Sequence, residues 1–390
     1  MKPKNKYSHA ELVRLLAEMV HGRKAGDRLN NDRELATRFG VSNVTIRAAM
    51  MELVRDGLVI RRDRSGTYVA DISQRQHVAI VVSQEILRSQ RMPFHNRATM
   101  SIMSELNRID QAYKLYMIPI SGKDLVGVEW PHQDQVDQSG LTTSIERNEI
   151  RGLVCVGIGN NNGWIDQLRL RDAPVVALSG DPTNRHRFTF RIEDYIRYAV
   201  RYLANFGRKK IAYLGWWQPQ RRNEGHADPS LSAFRDELTK CGLSFHEEWV
   251  NNLVNPNIAS AGWLAFRDLW ISRPDEKPDA LICMDDLIFA SASSAMLAAG
   301  IRVPRELQIV THWNKGSGLL CPYPVARFEY DASQVGPLIC ELLAECLENP
   351  KLDPQVRLLR AEWFTEGQFP EVHENLYEGL VDFGPGMELP

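Results

Sequence analysis

Between Asp32 and Ala70 the apolar residues recur first at helical and then at strand spacing. Leu35, Ala36 and Phe39 form the apolar face of a short helix that Gly40 ends, and Val41 turns inward behind it. Ser42 is placed to cap the next helix, in which Ile46, Ala49, Met50 and Leu53 fall at i, i+3, i+4 and i+7. That spacing buries one face and leaves Asn43, Val44, Thr45 and Arg47 pointing outward at the helix start, where a recognition helix meets DNA. Gly57 closes the helix. Leu58 to Arg61 and Thr67 to Ala70 then alternate as two short strands about the polar turn Arg62-Asp63-Arg64-Ser65-Gly66, a wing with cations at its tip. Upstream, Leu12, Leu15, Leu16, Met19 and Val20 predict an amphipathic helix that covers the open side of this small core.

After a polar linker, Asp71 to Gln76, the pattern changes to strands alternating with helices. Val78 to Val82, Leu115 to Ile120, Gly152 to Ile158, Pro174 to Ser179, Lys210 to Gly215, Ala280 to Met284 and Gln308 to Thr311 are short apolar runs. Helical segments such as Asn96 to Ile109, Tyr195 to Phe206 and Phe289 to Ala299 separate most of them. The order predicts an α/β body of parallel sheets flanked by helices, which binds ligands beyond the carboxyl ends of its strands.

Charge divides the chain in the same place. Residues 1–76 carry fifteen Lys and Arg against nine Asp and Glu, a balance of +6; the whole chain is −2, so the remainder carries −8. A cationic module followed by an acidic body is the distribution expected of a DNA-binding regulator. At 390 residues the chain leaves room behind the head for a two-lobed domain. The six cysteines include no C-x-x-C pair and lie mostly in apolar runs, as reduced core residues of a cytoplasmic protein. Glu11, Arg14 and Glu18 interrupt the first apolar stretch, so neither an export signal nor a membrane span is expected.

The run DRELATRFGVSNVTIRAAMMELVRDGLVIRRDRSGTYV resembles the GntR family, whose pattern is L-P-S-x-R-x-L-A, then G-V-S-R-x-T-V-R-x-A-L-x-x-L-x-x-E-G-L-I, then a wing ending G-T-F-V. The resemblance spans about residues 8–70. It implies that Arg33, Ser42, Thr45 and Arg47 contact phosphates or base edges and that Gly66 lies in the wing near the minor groove. Three positions depart from the pattern: Asn30-Asn31 replaces Pro-Ser, Asn43 replaces the usual recognition-helix Arg, and Arg64 replaces the first wing Gly. Asn pairs with adenine where Arg pairs with guanine, so the operator is expected to differ at the base facing Asn43.

Behind the head, several segments are similar to the effector domain of the LacI/GalR family. Arg191 to Gly215 follows that family's D-N-x-x-G-A-x-x-A-x-x-H-L-x-x-x-G-H-R-x-I-A-x-x-G in layout, and Pro278 to Val310 follows P-D-A-I-x-x-x-N-D-x-x-A-x-G. Met92-Pro93-Phe94 echoes N-P-F-F, and Asp331 to Gly336 echoes D-x-x-x-x-G. The resemblance implies a periplasmic-binding-protein-like domain over residues 77–368. Lobe 1 would span about 77–187 and 328–354, and lobe 2 about 188–327 and 355–368. A GntR-type head, 1–70, on a LacI-type body is the arrangement of AraR-like repressors. The tail, 369–390, has no family counterpart.

In such a domain Ser83, Ser179, Trp216, Asp285, Asp286, Trp313, Asn314 and Tyr330 fall at one interlobe cleft by motif position. Asp285 and Asp286 stand where the family has Asn-Asp and could accept hydrogen bonds from sugar hydroxyls or an amine. Alternatively Asp285 caps the following helix and Asp286 lies in its first turn. The family's ligand-gripping R-x-x-G-F becomes Ser230 with Ala233-Phe234, and V-G-F-D becomes Val310-Thr311-His312-Trp313. Trp216, Trp217 and Trp313 could stack on a sugar face or fill a core. Arg221-Arg222 could favour an anionic ligand or be plain surface charge.

No catalytic constellation is evident. His186, His226, His246 and His312 lack metal-ligand spacing, Gly157-x-Gly159 lacks a third glycine, and no Ser sits in a nucleophile elbow. Neither cofactor nor metal is expected, and the chain is not expected to be an enzyme. It reads as a homodimeric transcriptional regulator, expected to repress. Its head binds a palindromic double-stranded DNA operator, and its body senses a small molecule, expected to be a carbohydrate. The alternative is a GntR head on a pyridoxal-phosphate aminotransferase-like body.

Overall fold

A computed structural model describes residues 7–63, 65–71, 76–84, 86, 93–119, 133–158, 165, 173–216, 227–271 and 277–365. The head opens with α1 (His9–His21), whose Ser8 and Glu11 form a reciprocal capping box. Next come α2 (Asp32–Phe39) and α3 (Asn43–Arg55), then β1 (Val59–Arg62) pairing antiparallel with β2 (Gly66–Val69). Leu12, Leu16 and Val20 of α1 join Leu35, Ile46, Ala49, Met50 and Leu53 in one buried cluster, as the spacing requires. Residues 26–29 add a further edge to the wing, with Leu29 N–H donating to Thr67 O and Val69 N–H to Asp27 O.

Beyond residue 76 the described residues form two compact units. The first takes 77–189 and 333–357, the second 190–332 and 358–365. In the first, β3 (His77–Ser83), β4 (Tyr113–Ile118), β5 (Ile150–Val156), β6 (Val175–Leu178) and β7 (His186–Thr189) pair in parallel in the order β4-β3-β5-β6-β7, with β13 (Val356–Leu358) outside β7. This is a doubly wound order whose switch point lies between β3 and β5. Helix α4 (Pro93–Arg108) starts three residues before the predicted Asn96, because Pro93 is preset for a first helical turn. Short helices α5 (Gln133–Gln138) and α6 (Leu141–Glu146) precede β5.

The second unit repeats the order. Strands β8 (Ile211–Leu214), β9 (Val250–Asn251), β10 (Ala280–Cys283), β11 (Gln308–Asn314) and β12 (Ala326–Tyr330) run as β9-β8-β10-β11-β12, and β14 (Ala361–Phe364) closes the edge antiparallel to β12. Helices α7 (Ile192–Asn205) and α8 (Pro229–Lys240) cover one face, where Tyr195, Ile196, Val200 and Phe234 pack on Ile211, Ile282 and Val310. On the other face α9 (Ala261–Ile271) and α10 (Asp286–Ala298) bring Phe266, Phe289 and Met296 against Leu214, Leu281 and Ile309. With both faces covered the strands carry unbroken apolar runs, as buried parallel strands do. Two parallel five-strand windings exclude an aminotransferase-like body.

In the first unit, α11 (Val335–Glu348) lies against α4 so closely that a Cβ on Gly336 would stand 2.3 Å from Ser101 O. Ser101 Oγ donates to Ser333 O at 2.6 Å and accepts from Gly336 N–H at 3.0 Å. The glycine of the D-x-x-x-x-G segment is therefore a packing requirement between two helices. Arg64, Met92, Gly159, Trp217, Arg221, Arg222, His226 and the tail 369–390 lie outside the described residues.

Candidate functional site

Ser42 holds extended backbone angles and its Oγ accepts from Thr45 N–H at 3.1 Å, capping α3. The Ser42 and Thr45 hydroxyls also share a hydrogen bond at 2.7 Å, so both polar groups sit together at the helix start. Asn43 and Arg47 are exposed, and Val44 is 78% exposed. An exposed β-branched side chain on this polar rim has no apolar protein surface to cover it. Asn31 caps α2 through Arg33 N–H and Glu34 N–H, while Glu34 accepts from Asn31 N–H, which completes a capping box. The Asn that stands in for the family's Ser performs the same capping work, and Arg33 remains exposed in the first turn.

Beside α2 and the wing is a cleft of about 800 Å³ lined by Arg28, Asn30, Asp32, Arg33, Glu34, Arg61, Arg62, Asp63 and Gly66. Gly66 has φ +119, and a Cβ there would stand 3.1 Å from Arg28 Nε. Glycine thus serves both the backbone and the seating of Arg28. Arg62 lies over the Tyr68 ring, 5.0 Å from its centre. Asp32 binds two arginines of other elements: Arg61 Nη2 donates to both its oxygens, at 3.0 and 3.1 Å, and Arg47 Nε stands 3.5 Å away. Arg28, Asp32 and Arg61 were absent from the sequence-based set. Their roles depend on the wing folding back on α2, which no local spacing announces.

In the body's first unit, Ser83 ends β3 at the switch point and is buried. Ser179 lies two strands away, after β6, where its Oγ accepts from Asp181 N–H at 3.1 Å and its N–H donates to Phe188 O. The strand β5 separates them.

In the second unit Asp285 caps α10, accepting from Leu287 N–H at 2.8 Å and Ile288 N–H at 3.4 Å. Asp286 is 0% exposed; its carboxylate accepts from Asn314 N–H at 3.0 Å and Asn314 Nδ2 at 3.1 Å. Burial, with Asp285 alongside, pushes the Asp286 carboxyl up to about 7. Asn314 and Tyr330 are register partners at the carboxyl ends of β11 and β12, so Asp286, Asn314 and Tyr330 form one contiguous group. Trp313 points to the α9–α10 side, 6% exposed, its ring 6.2 Å from that of Phe289. Trp216, half-buried after β8, packs against the same cluster. Trp313 thus fills the core, and Trp216 borders it with part of its surface exposed. His312 lies on the opposite face, its ring 5.2 Å from that of Tyr330, and burial pushes it down to about 4.

Among the described residues no group of three or more His, Cys, Asp or Glu is arranged to hold a metal ion, and no helix is long and apolar enough to cross a membrane. All six cysteines are free thiols.

Comparison with known proteins divides the chain in the same way. The model for bacterial regulatory proteins of the gntR family matches residues 11–69, and that for periplasmic binding protein-like domains matches residues 200–367. Over 75 residues the chain is 39% identical to the probable fructoselysine utilization operon transcriptional repressor of Escherichia coli, covering 18% of this chain and 31% of that protein. Over 236 residues it is 21% identical to the HTH-type transcriptional repressor PurR of Photobacterium profundum, covering 57% of this chain and 65% of that one. The chain therefore spans less than two thirds of the length of either relative. A complex of the transcriptional regulator CelR with cellobiose superposes with a TM-score of 0.57 at 18% identity, over 84% of this chain and 91% of the other. The lac repressor dimer bound to operator and the anti-inducer ONPF gives 0.58 at 15% identity, over 76% and 95%. The chain joins, in one polypeptide, a winged helix-turn-helix that matches the gntR family over residues 11–69 to a domain of the periplasmic-binding-protein-like fold.

Proposed function

We propose that this chain is a transcriptional repressor whose affinity for a double-stranded DNA operator is set by a small molecule bound in its second domain. The observation that carries the reading is the head's outward surface. Asn43, Val44 and Arg47 at the start of α3, Arg33 at the start of α2, and Arg28, Arg61 and Arg62 around Gly66 leave one small module presenting base-reading and phosphate-binding groups together. Arg64, in the wing turn by sequence, adds a further cation to this set. Two heads on a homodimer would read the halves of a palindromic site.

The second domain supplies a doubly wound sheet whose carboxyl ends carry Asp286, Asn314 and Tyr330, the place where such sheets hold ligands. A carbohydrate effector is favoured by the fold's company: solved neighbours include complexes with cellobiose and with lactose. Ser83, Ser179, Trp216, Asp285 and Trp313 remain candidate contacts by motif position, with Ser179, Trp216 and Asp285 only half-buried. Ligand would act by population shift, changing operator affinity by no more than its differential affinity for the two states. On this reading the chain is a cytoplasmic binding protein and no enzyme.

Operator affinity of the full chain, measured on a duplex obtained by in vitro selection at about 50 mM and about 200 mM salt, tests the DNA-binding half. Several phosphate contacts require a fall of at least about a hundredfold over that interval. Indistinguishable affinities would remove the electrostatic basis of the reading.

A further inference from the structure

We infer that Asp32 is a positioning residue for operator reading, holding an arginine of the recognition helix and an arginine of the wing in one fixed relation. The inference rests on the repressor reading above. Three elements meet at this carboxylate. Asp32 is the first residue of α2, Arg47 projects from the outward side of α3, and Arg61 projects from β1. Arg61 Nη2 bonds both carboxylate oxygens, at 3.0 and 3.1 Å, and Arg47 Nε approaches Oδ2 at 3.5 Å.

The apolar core cannot do this work. It fixes the backbones of the three elements, but each guanidinium stands at the end of a long side chain with many accessible rotamers. Unheld, both would sweep a wide arc, and phosphates would capture them wherever they happened to lie. A shared carboxylate restricts both to one region beside the cleft, so binding of the right duplex loses less side-chain freedom. The placement is otherwise unfavourable for a DNA-facing surface. A negative charge among Arg28, Arg33, Arg61 and Arg62 opposes every phosphate that approaches. Asp32 therefore weakens indiscriminate binding while ordering the groups that discriminate, and both effects raise the preference for operator over other DNA.

The test compares Asp32→Asn with the wild-type full chain on two duplexes at one salt concentration: the sequence enriched by in vitro selection and an unrelated one. The variant is expected to lose on the order of tenfold in operator affinity while its affinity for the unrelated duplex holds or rises. Asp32→Glu should restore most of the preference, and Arg61→Gln should reproduce much of its loss. Combined with Arg47→Ala, Asp32→Asn should cost less than the two separate losses together, because both act through one guanidinium. A parallel rise on both duplexes would reduce Asp32 to bare charge, and an unchanged preference would overturn the inference equally. If Asp32→Asn melts lower than wild type, Asp32→Glu and Arg61→Gln decide alone. Failure of the wild-type chain to enrich any duplex would count against the repressor reading instead, a distinct result.

Discussion

Asp286 and Asn314 lock the start of α10 to the end of β11: one carboxylate receives both the backbone N–H and the side-chain amide of Asn314, at 3.0 and 3.1 Å. The pair is buried, and it lies where the parallel sheet of the second unit ends. Asp286 is fully buried, so a ligand would reach its remaining acceptor sites only if the start of α10 and the end of β11 shifted, and the lock connects ligand entry to the relation between helix and strand.

The same burial makes the lock sensitive to pH. The Asp286 carboxyl, ordinarily near 4, is raised to about 7, so between about pH 4 and pH 7 the folded chain holds a proton that the unfolded chain has released. Stability from this group is therefore full below about pH 4 and is lost as pH rises toward 7, by up to about 1.4 kcal/mol per unit. Asp286→Asn can keep the geometry if the Asn314 amide turns over to present its oxygen. The melting temperature of Asp286→Asn relative to wild type should climb across that window and level off above it. A constant difference would remove titration of Asp286 from the explanation.

Val44 should read a thymine. Its exposed methyls, beside Asn43 at the start of α3, match the C5-methyl that thymine presents in the major groove. Replacing operator thymines one at a time by deoxyuridine should reveal one position where affinity for wild type falls about three- to tenfold, with no effect on Val44→Ala. Equal sensitivity of both proteins at every thymine would mean that Val44 touches no methyl.

Asn31 can be exchanged for the family's serine at little cost. Both side chains accept from the free N–H groups of α2, as the Asn31 oxygen now does from Arg33 and Glu34. Asn31→Ser should be near neutral in thermal denaturation of the full chain, whereas Asn31→Ala should lose about 1 kcal/mol from the head. Equal losses would mean that a serine hydroxyl does not reach the Arg33 and Glu34 N–H groups that the Asn31 oxygen now accepts from.

Gly336→Ala should destabilise the first unit by about 1–3 kcal/mol. The added methyl would meet Ser101 O, a backbone atom that α4 cannot withdraw without moving. Denaturant unfolding followed by fluorescence would show a lowered midpoint at unchanged slope. An unshifted midpoint would mean that α4 and α11 can separate freely.

The head was legible because its information is local. Ile46, Ala49, Met50 and Leu53 are all buried and Asn43 and Val44 exposed, as a period of 3.6 demands. Most body strands were legible as apolar runs, with ends displaced by one to three residues; β4, for example, is Tyr113–Ile118 against the predicted Leu115 to Ile120. Strands β7 and β12 were not. His186-Arg187-Phe188-Thr189 holds one apolar residue among polar ones, and Ala326-Arg327-Phe328-Glu329-Tyr330 alternates apolar with ionisable residues, with Arg327 and Glu329 buried by neighbours distant in sequence. The same limit hid the Asp286 lock, whose partner is 28 residues away, and the Asp32 clamp, whose partners lie in α3 and β1. Asp285 was read both as a cap and as a ligand contact, and its bonds to Leu287 and Ile288 N–H make it a cap. Spacing reports which face of an element is buried; it is silent on which polar groups meet across elements.

The proposal of a ligand-responsive repressor is tested most directly by one titration. The full chain, bound to the duplex it enriches from a random pool, is challenged with a panel of mono- and disaccharides while DNA affinity is followed. The expected result is a palindromic enriched sequence and at least one sugar that shifts its affinity by about five- to 150-fold, with the shift abolished in Asp286→Ala and operator affinity weakened in Arg47→Ala. A sugar that binds the chain tightly yet leaves operator affinity unchanged would contradict the coupling, and a chain that enriches no sequence would contradict the reading altogether.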